Sequence, residues 1–135
     1  MSKVDIFLSN PNEEQAYRKN LKDYPVNIIV SNTKHVNTQR NFIVDYYKED
    51  ELILGIDDDI DLVAMKVDDK NTIQLNSLTE FVDNAFTISL DKKIDMWGVN
   101  PVINPYFMKN NVTFNLKYIV ACFYGWRNNK EKKAY

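Results

Sequence analysis

Asp57, Asp58 and Asp59 stand in succession, with Asp61 close behind, directly after the apolar run Leu52-Ile-Leu-Gly-Ile56. Adjacent carboxylates repel: two of them ~6 Å apart at an effective dielectric of ~20 cost about 3 kcal/mol. Either water solvates such a cluster or a cation compensates it. If the chain stays extended there, Asp57 and Asp59 point to one side and Asp58 to the other, so two carboxylates can share one ion. An oxygen-only pair suits Mg²⁺ or Mn²⁺, which bind through one or two carboxylates and complete their shell with water and phosphate oxygens. The implied chemistry is capture of a diphosphate together with its cation. A solvated acidic loop, with Asp59 or Asp61 forming a turn, is the plain alternative. An EF-hand is excluded, because no Gly and no closing Glu stand at the positions its loop requires.

Few other side chains compete for a chemical role. Arg40 can approach a phosphate or pair with Asp45 or Glu49 on a helix surface. Ser9 sits at the end of a short apolar run, where it can face a ligand or cap the next helix. His35 is the only histidine and falls in a polar loop, where solvation explains it more simply than catalysis. Cys122 lies inside an apolar run and reads as a buried, inert thiol. Trp97, Tyr106, Tyr124 and Trp126 can stack on a sugar or a base, although core packing accounts for most aromatics; Trp97, just before Gly98, is the acceptor-side candidate. Asp95 is a conceivable catalytic base, with an exposed strand-edge acid as the simpler reading, and no base is assigned.

The elements that must position these residues are read from periodicity and caps. Residues 4–9 form an apolar run, and Asn10-Pro11 with Glu13 and Glu14 then supplies a cap, a first-turn proline and first-turn acids. Tyr17, Leu21 and Tyr24 recur at helical spacing until Pro25. Residues 26–30 read as a second strand, residues 38–48 as a second helix and residues 51–56 as a third strand. This βαβαβ order predicts right-handed crossovers and a mainly parallel, three-layer sheet. In such sheets ligands bind beyond the carboxyl ends of the strands, which is where Asp57 stands. Beyond Asp61 the pattern becomes mixed: a strand over 62–67, a turn at Asp68-Asp69-Lys70-Asn71, and a helix over 77–92 opened by Ser77-Leu-Thr-Glu80. Strands over 96–99 and 118–124 complete it.

Composition bounds the rest. The chain has 135 residues, 17 basic against 19 acidic, and 44% hydrophobic residues, which suits one globular domain over 1–135. A net charge of −2 removes the usual basis for wrapping a nucleic-acid backbone. One cysteine excludes a disulfide framework and a cysteine-based zinc site. No secretory leader or membrane-length apolar run is present, so the expected location is cytoplasmic, with no membrane partner.

The ordered set of motifs resembles the sugar-nucleotide-binding half of GT-A-fold glycosyltransferases, whose Asp-x-Asp motif ends a hydrophobic strand. The segments are Val4-Asp-Ile-Phe-Leu-Ser9, Val26-Asn-Ile-Ile-Val-Ser31, Thr38-Gln-Arg-Asn41 and Leu52-Ile-Leu-Gly-Ile-Asp-Asp-Asp59. More narrowly, Gln39-Arg-Asn-Phe-Ile43, Ile56-Asp-Asp-Asp-Ile60, Trp97-Gly-Val-Asn-Pro-Val102 and Asn104-Pro-Tyr-Phe-Met108 look like the viral and phage glycosyltransferases associated with DNA base modification. The resemblance implies a sugar-nucleotide-binding part over about 4–61 and an acceptor-side portion over 62–127, short for the family. By position it makes Asp59 the principal metal ligand and Asp57 the ribose or second metal contact, with Asp58 able to take either role if the strand bends. Arg40 would approach the diphosphate and Ser9 the nucleotide. The implied activity is transfer of a sugar from a nucleotide-diphospho-sugar, UDP-linked by preference, with Mn²⁺ or Mg²⁺ as cofactor and a modified DNA base among the acceptors. Because the chain is short, the alternative is a catalytically silent sugar-nucleotide-binding or assembly module, with a homo-oligomer covering the missing half. A metal-dependent phosphoryl-transfer enzyme ranks third, since phosphatases of the haloacid-dehalogenase type usually carry Asp-x-Asp on the first strand.

Overall fold

The computed structural model of the protein describes residues 3–115, 118–120 and 122–133. It is a mixed α/β chain with two compact units, Met1–Glu51 with Asn128–Tyr135, and Leu52–Arg127. The division falls in front of the third strand, not behind Asp61.

In the first unit, strands β1 (Val4–Leu8) and β2 (Val26–Val30) pair in parallel, Val4 opposite Val26 through Leu8 opposite Val30. Asn10 opens the connection as expected, its Oδ1 accepting from the N–H of Asn12. A single 3₁₀ turn, Pro11–Glu13, precedes helix α1 (Glu14–Asn20). Helix α2 (Val36–Tyr46) starts two residues earlier than its apolar spacing indicates. The Thr38 hydroxyl accounts for this: it donates to the carbonyl of His35 at 2.7 Å and accepts from the His35 N–H at 3.2 Å. His35 is therefore the residue at which the helix begins. Phe42 and Tyr46 of α2, with Tyr47 directly after it, surround Phe7, with ring centroids 6.1, 5.3 and 6.0 Å away.

The other end of α2 is closed by a residue far along the chain. Asn128 is fully buried, and its Nδ2 donates to the carbonyls of Val44, Tyr47 and Lys48 at 2.9, 3.2 and 2.9 Å. Val44 lies in the last turn of the helix, and Tyr47 and Lys48 follow its end, so one amide gathers the carbonyls where the helix stops. Backbone bonds from Asn128 N–H to the Glu51 carbonyl and from Asp50 N–H to the Asn128 carbonyl hold it there.

In the second unit, β7 (Phe123–Arg127) is the central strand, flanked by β3 (Leu52–Ile56) and β6 (Met96–Gly98), both antiparallel to it. Helix α3 (Leu78–Asp91) begins as the sequence indicates, Ser77 Oγ accepting from the N–H of Glu80 at 3.2 Å. Its Phe81 and Phe86 pack on Trp97 and its Phe81 on Phe123 as well. The buried face runs through Phe86 and Ser89, whereas the apolar Ile88 and Leu90 are exposed. A short hairpin, β4 (Ala64–Lys66) and β5 (Thr72–Gln74), closes on the turn expected at Asp68-Asp69-Lys70-Asn71.

Two expectations differ from these findings. The third strand lies in an antiparallel sheet, so the parallel pairing described here is that of β1 with β2; an apolar run states burial but not the direction of its partner. The last strand begins at Phe123 and runs to Arg127, beyond the expected 118–124, and Ala121 of that range lies outside the described residues. Gly125 makes this register possible: a Cβ there would collide with the indole of Trp97 directly opposite. The glycine is thus a seat for an aromatic ring, not a strand terminator.

Replacing Asn128 with Ala removes three bonds made by a fully buried side chain, at about 2–3 kcal/mol. A fall in the urea midpoint with an unchanged m-value is the expected outcome, and a loss under about 0.5 kcal/mol would contradict the capping role.

Candidate functional site

The aspartates come after β3 without an intervening residue. The pairing of Ile56 with Phe123 is the last rung of the β3–β7 ladder, and the N–H of Asp57 then donates to the carbonyl of Cys122 at 2.9 Å. The backbone of Asp57 is therefore fixed where the strand ends. Asp58 and Asp59 form a turn. The extended geometry that would set Asp57 and Asp59 on one side does not persist, because the chain bends as soon as the ladder stops. Asp57, Asp58, Asp59 and Asp61 are all exposed.

Among the described residues, no group of three or more His, Cys, Asp or Glu side chains converges to hold a metal ion. The donor chemistry fits a cation that takes one or two of these carboxylates and draws its other ligands from water and phosphate, not one caged by protein. Asp57 and Asp59, or Asp57 and Asp58 across the bend, are the pairs that could serve.

Ser9 and Arg40 belong to the first unit, the aspartates to the second. Ser9 is exposed beyond β1, and the capping oxygen there belongs to Asn10 instead. Arg40 is exposed on α2. Its expected surface partners are engaged elsewhere: Asp45 pairs with Lys133 Nζ at 2.7 Å, and Glu49 Oε2 accepts from the N–H of Lys130 at 3.0 Å. Trp97 sits among Phe81, Phe86 and Phe123, with centroids 6.1, 5.3 and 6.2 Å away, so core packing explains the ring. Asp95 Oδ1 receives Arg127 Nη2 at 2.6 Å. Cys122 is half-buried.

At the carboxyl ends of β1 and β2 lies a hydrogen-bonded rim that sequence reading did not isolate. Ser31 Oγ donates to the Leu8 carbonyl at 3.1 Å and shares a 2.9 Å hydrogen bond with Thr33 Oγ1. Thr33 donates to Gln39 Oε1 at 3.1 Å, and Gln39 Nε2 donates to the Phe7 carbonyl at 2.8 Å. The rim joins both strand ends to the first turn of α2, which is where open α/β sheets receive ligands.

A second polar group was missed altogether. Asp5 lies in β1 with its side chain only 2% exposed. Its Oδ1 accepts from Asn27 Nδ2 and its Oδ2 from Tyr47 Oη, both at 2.7 Å, while Lys3 Nζ stands 3.6 Å away. Asp5 and Asn27 are register partners across the parallel pair, so two polar residues at matching positions in two apolar strands were the available signal. Burial and then the Asp5 carboxylate push the Tyr47 hydroxyl well above its ordinary value.

No family model, no curated protein and no solved structure matches this chain.

A raised phenol pKa means that folding favours the protonated form. That stability is complete below the unfolded value near 10 and is lost as pH rises toward the folded value. Between pH 8 and pH 11, wild type should therefore lose more unfolding free energy than Tyr47→Phe, measured by urea titration at each pH. At pH 8 the variant should be less stable by about 1–3 kcal/mol, because it leaves a buried carboxylate oxygen unmet. Parallel pH profiles would contradict this account of Tyr47.

Proposed function

We propose that the protein is a metal-dependent glycosyltransferase that takes its sugar from a nucleotide-diphospho-sugar. One observation carries this reading: three solvent-accessible aspartates leave the carboxyl end of β3 from a backbone position pinned by the Asp57–Cys122 hydrogen bond. Support also comes from the parallel β1–α1–β2–α2 order with its polar rim at the strand ends. In this reading Asp57, with Asp59 or Asp58, holds Mn²⁺ or Mg²⁺ brought in on the diphosphate. Such an ion, when bound, supplies Lewis-acid stabilisation of the charge that develops on the departing nucleoside diphosphate. Within the first unit, exposed Arg40 and Ser9 are the candidates for contacts to a diphosphate and a nucleotide. The acceptor is an alcohol, a hydroxymethylated DNA base among the candidates.

One finding favours a second reading, a binding module without turnover. The acid considered for the base, Asp95, is engaged by Arg127 at 2.6 Å, a contact that a proton-accepting role would have to give up.

Thermal unfolding with UDP- and GDP-sugars, each with and without Mn²⁺, tests both. The expected result is stabilisation only when metal and nucleotide sugar are present together, by about 2.7 kcal/mol at a hundredfold excess over Kd. The double variant Asp57→Asn/Asp59→Asn should lose it. An undiminished shift in that variant would sink the metal assignment. Release of sugar from the donor supports turnover, its absence with intact binding supports the silent module, and release of inorganic phosphate supports phosphoryl transfer instead.

A further inference from the structure

An antiparallel sheet with one wet face ordinarily sets its apolar side chains toward the protein and its polar ones toward water. The β4–β5 hairpin does the reverse. Met65 stands opposite Ile73, and Lys66 opposite Thr72. The N–H of Val67 donates to the Asn71 carbonyl at 3.0 Å and the N–H of Leu75 to the Val63 carbonyl at 3.1 Å, so the alternation continues past both ends of the strands. Val63, Met65, Val67, Ile73 and Leu75 therefore share one face, and Lys66 and Thr72 lie on the other. The lysine face is the covered one: the Lys66 side chain is 13% exposed, pairs with Asp69 at 2.6 Å and donates to the Met108 carbonyl at 2.9 Å. The aliphatic face stands in water, with Met65 50%, Val67 56% and Ile73 49% exposed. Its one polar member, Asn71 opposite Val67, spends its side-chain amide on the Asp68 carboxylate.

We propose that this face is the contact between two copies of the chain. No charged side chain belongs to it, and residues 62–75 carry two lysines against two aspartates, so two hairpins meet without net repulsion. The same lack of charge gives a phosphate backbone or an anionic headgroup nothing to pair with. A closed pair needs a self-complementary patch. A twofold axis running along the hairpin, midway between β4 and β5, supplies one: it lays Met65 of each copy over Ile73 of the other. The unbranched thioether of Met65 adapts to the branched side chain that faces it. A two-stranded hairpin is marginal in water, and a facing hairpin gives it the second layer it lacks. Three half-exposed side chains fall well short of the roughly 800 Å² per partner of a stable complex, so the pair is weak, dissociating at about 100 µM.

Sedimentation equilibrium of the full chain from about 10 µM to about 1 mM reads the monomer–dimer balance. Dimer is expected to grow in across that range. Met65→Asp and Ile73→Lys, each alone, should weaken association about tenfold or more, since each brings an unpaired charge into an apolar contact. Mixed in equal amounts, the two variants should associate again, because the introduced aspartate of one copy faces the introduced lysine of the other. Val67→Asp on the same face decides the matter if either variant loses its cooperative unfolding transition. A chain that stays monomeric throughout, a dimer that these variants leave intact, or a mixture that remains monomeric would each overturn the proposal. So would a monomer that binds oligothymidylate or phosphatidylcholine vesicles through Met65 and Ile73, which would give the face a different occupant.

Discussion

Phe123 is the side chain on which the second unit closes. It is 1% exposed, sits on the central strand, and meets Phe81 and Trp97 at 6.3 and 6.2 Å. Burying such a ring stabilises by roughly 2–3 kcal/mol. Its position also fixes the chemistry, because the same residue is the rung opposite Ile56, and one step further the Cys122 carbonyl takes the N–H of Asp57. Core packing and the emergence point of the aspartates are consequently one constraint. The vacancy at Gly125 completes it: Phe123 and Gly125 share a face of β7, so the ring of one and the missing Cβ of the other together make the bed for the Trp97 indole.

The first unit depends on polar pins where the second depends on rings. Asp5 and Asn128 are nearly or wholly buried, and each gathers contacts from the end of α2, Asp5 through the hydroxyl of Tyr47, which caps the helix, and Asn128 through the carbonyls of Val44, Tyr47 and Lys48. Both oxygens of Asp5 are met, while Asn128 is met at Nδ2 and its buried Oδ1 has no hydrogen-bond partner among the described residues; the bonds that are made specify one seat for the helix. Gln39 and Thr33 fasten the opposite end of α2 to β1 and β2. The helix that carries Arg40 is thereby held at both ends by directional bonds, which apolar contacts with Phe7 alone would not provide.

Much of this was legible in the residues themselves. The apolar runs ending at Leu8, Val30 and Ile56 are strands, Asn10 and Ser77 cap the helical turns next to them, and Asp68 to Asn71 is a turn. The features that escaped did so for physical reasons. Strand direction is a property of the partner, so Leu52-Ile-Leu-Gly-Ile56 carries no mark that its neighbour would be the antiparallel β7. Gly125 reads as an interruption until the facing Trp97 is known. Thr72-Ile-Gln74 is too short and too polar to announce a strand, and only the hairpin turn gives it a partner. Asp5 looks like a polar interruption in β1, and its meaning depends on Asn27 and Tyr47, 22 and 42 residues away in sequence. The aspartate cluster was the most conspicuous feature and its place at a strand end was expected, yet the bend at Asp58 was not, since alternation along an extended chain was assumed.

That bend changes the electrostatics of the cluster. Exposed to water, two carboxylates ~6 Å apart repel by less than about 1 kcal/mol, so Asp57, Asp58 and Asp59 are tolerated without any ion and their repulsion alone does not call for one. Their difference from Asp5 is what bears on function. Asp5 has neutral donors on both oxygens within 2.7 Å and a lysine beside it, which commits the carboxylate to holding the fold. The three after β3 are exposed and the first has its backbone anchored, which leaves them within reach of a cation arriving with a phosphate. A carboxylate that is ordered at its main chain and reachable from solvent loses little entropy on binding an ion. That combination, rather than the count of acids, is the physical ground on which the proposed donor chemistry stands.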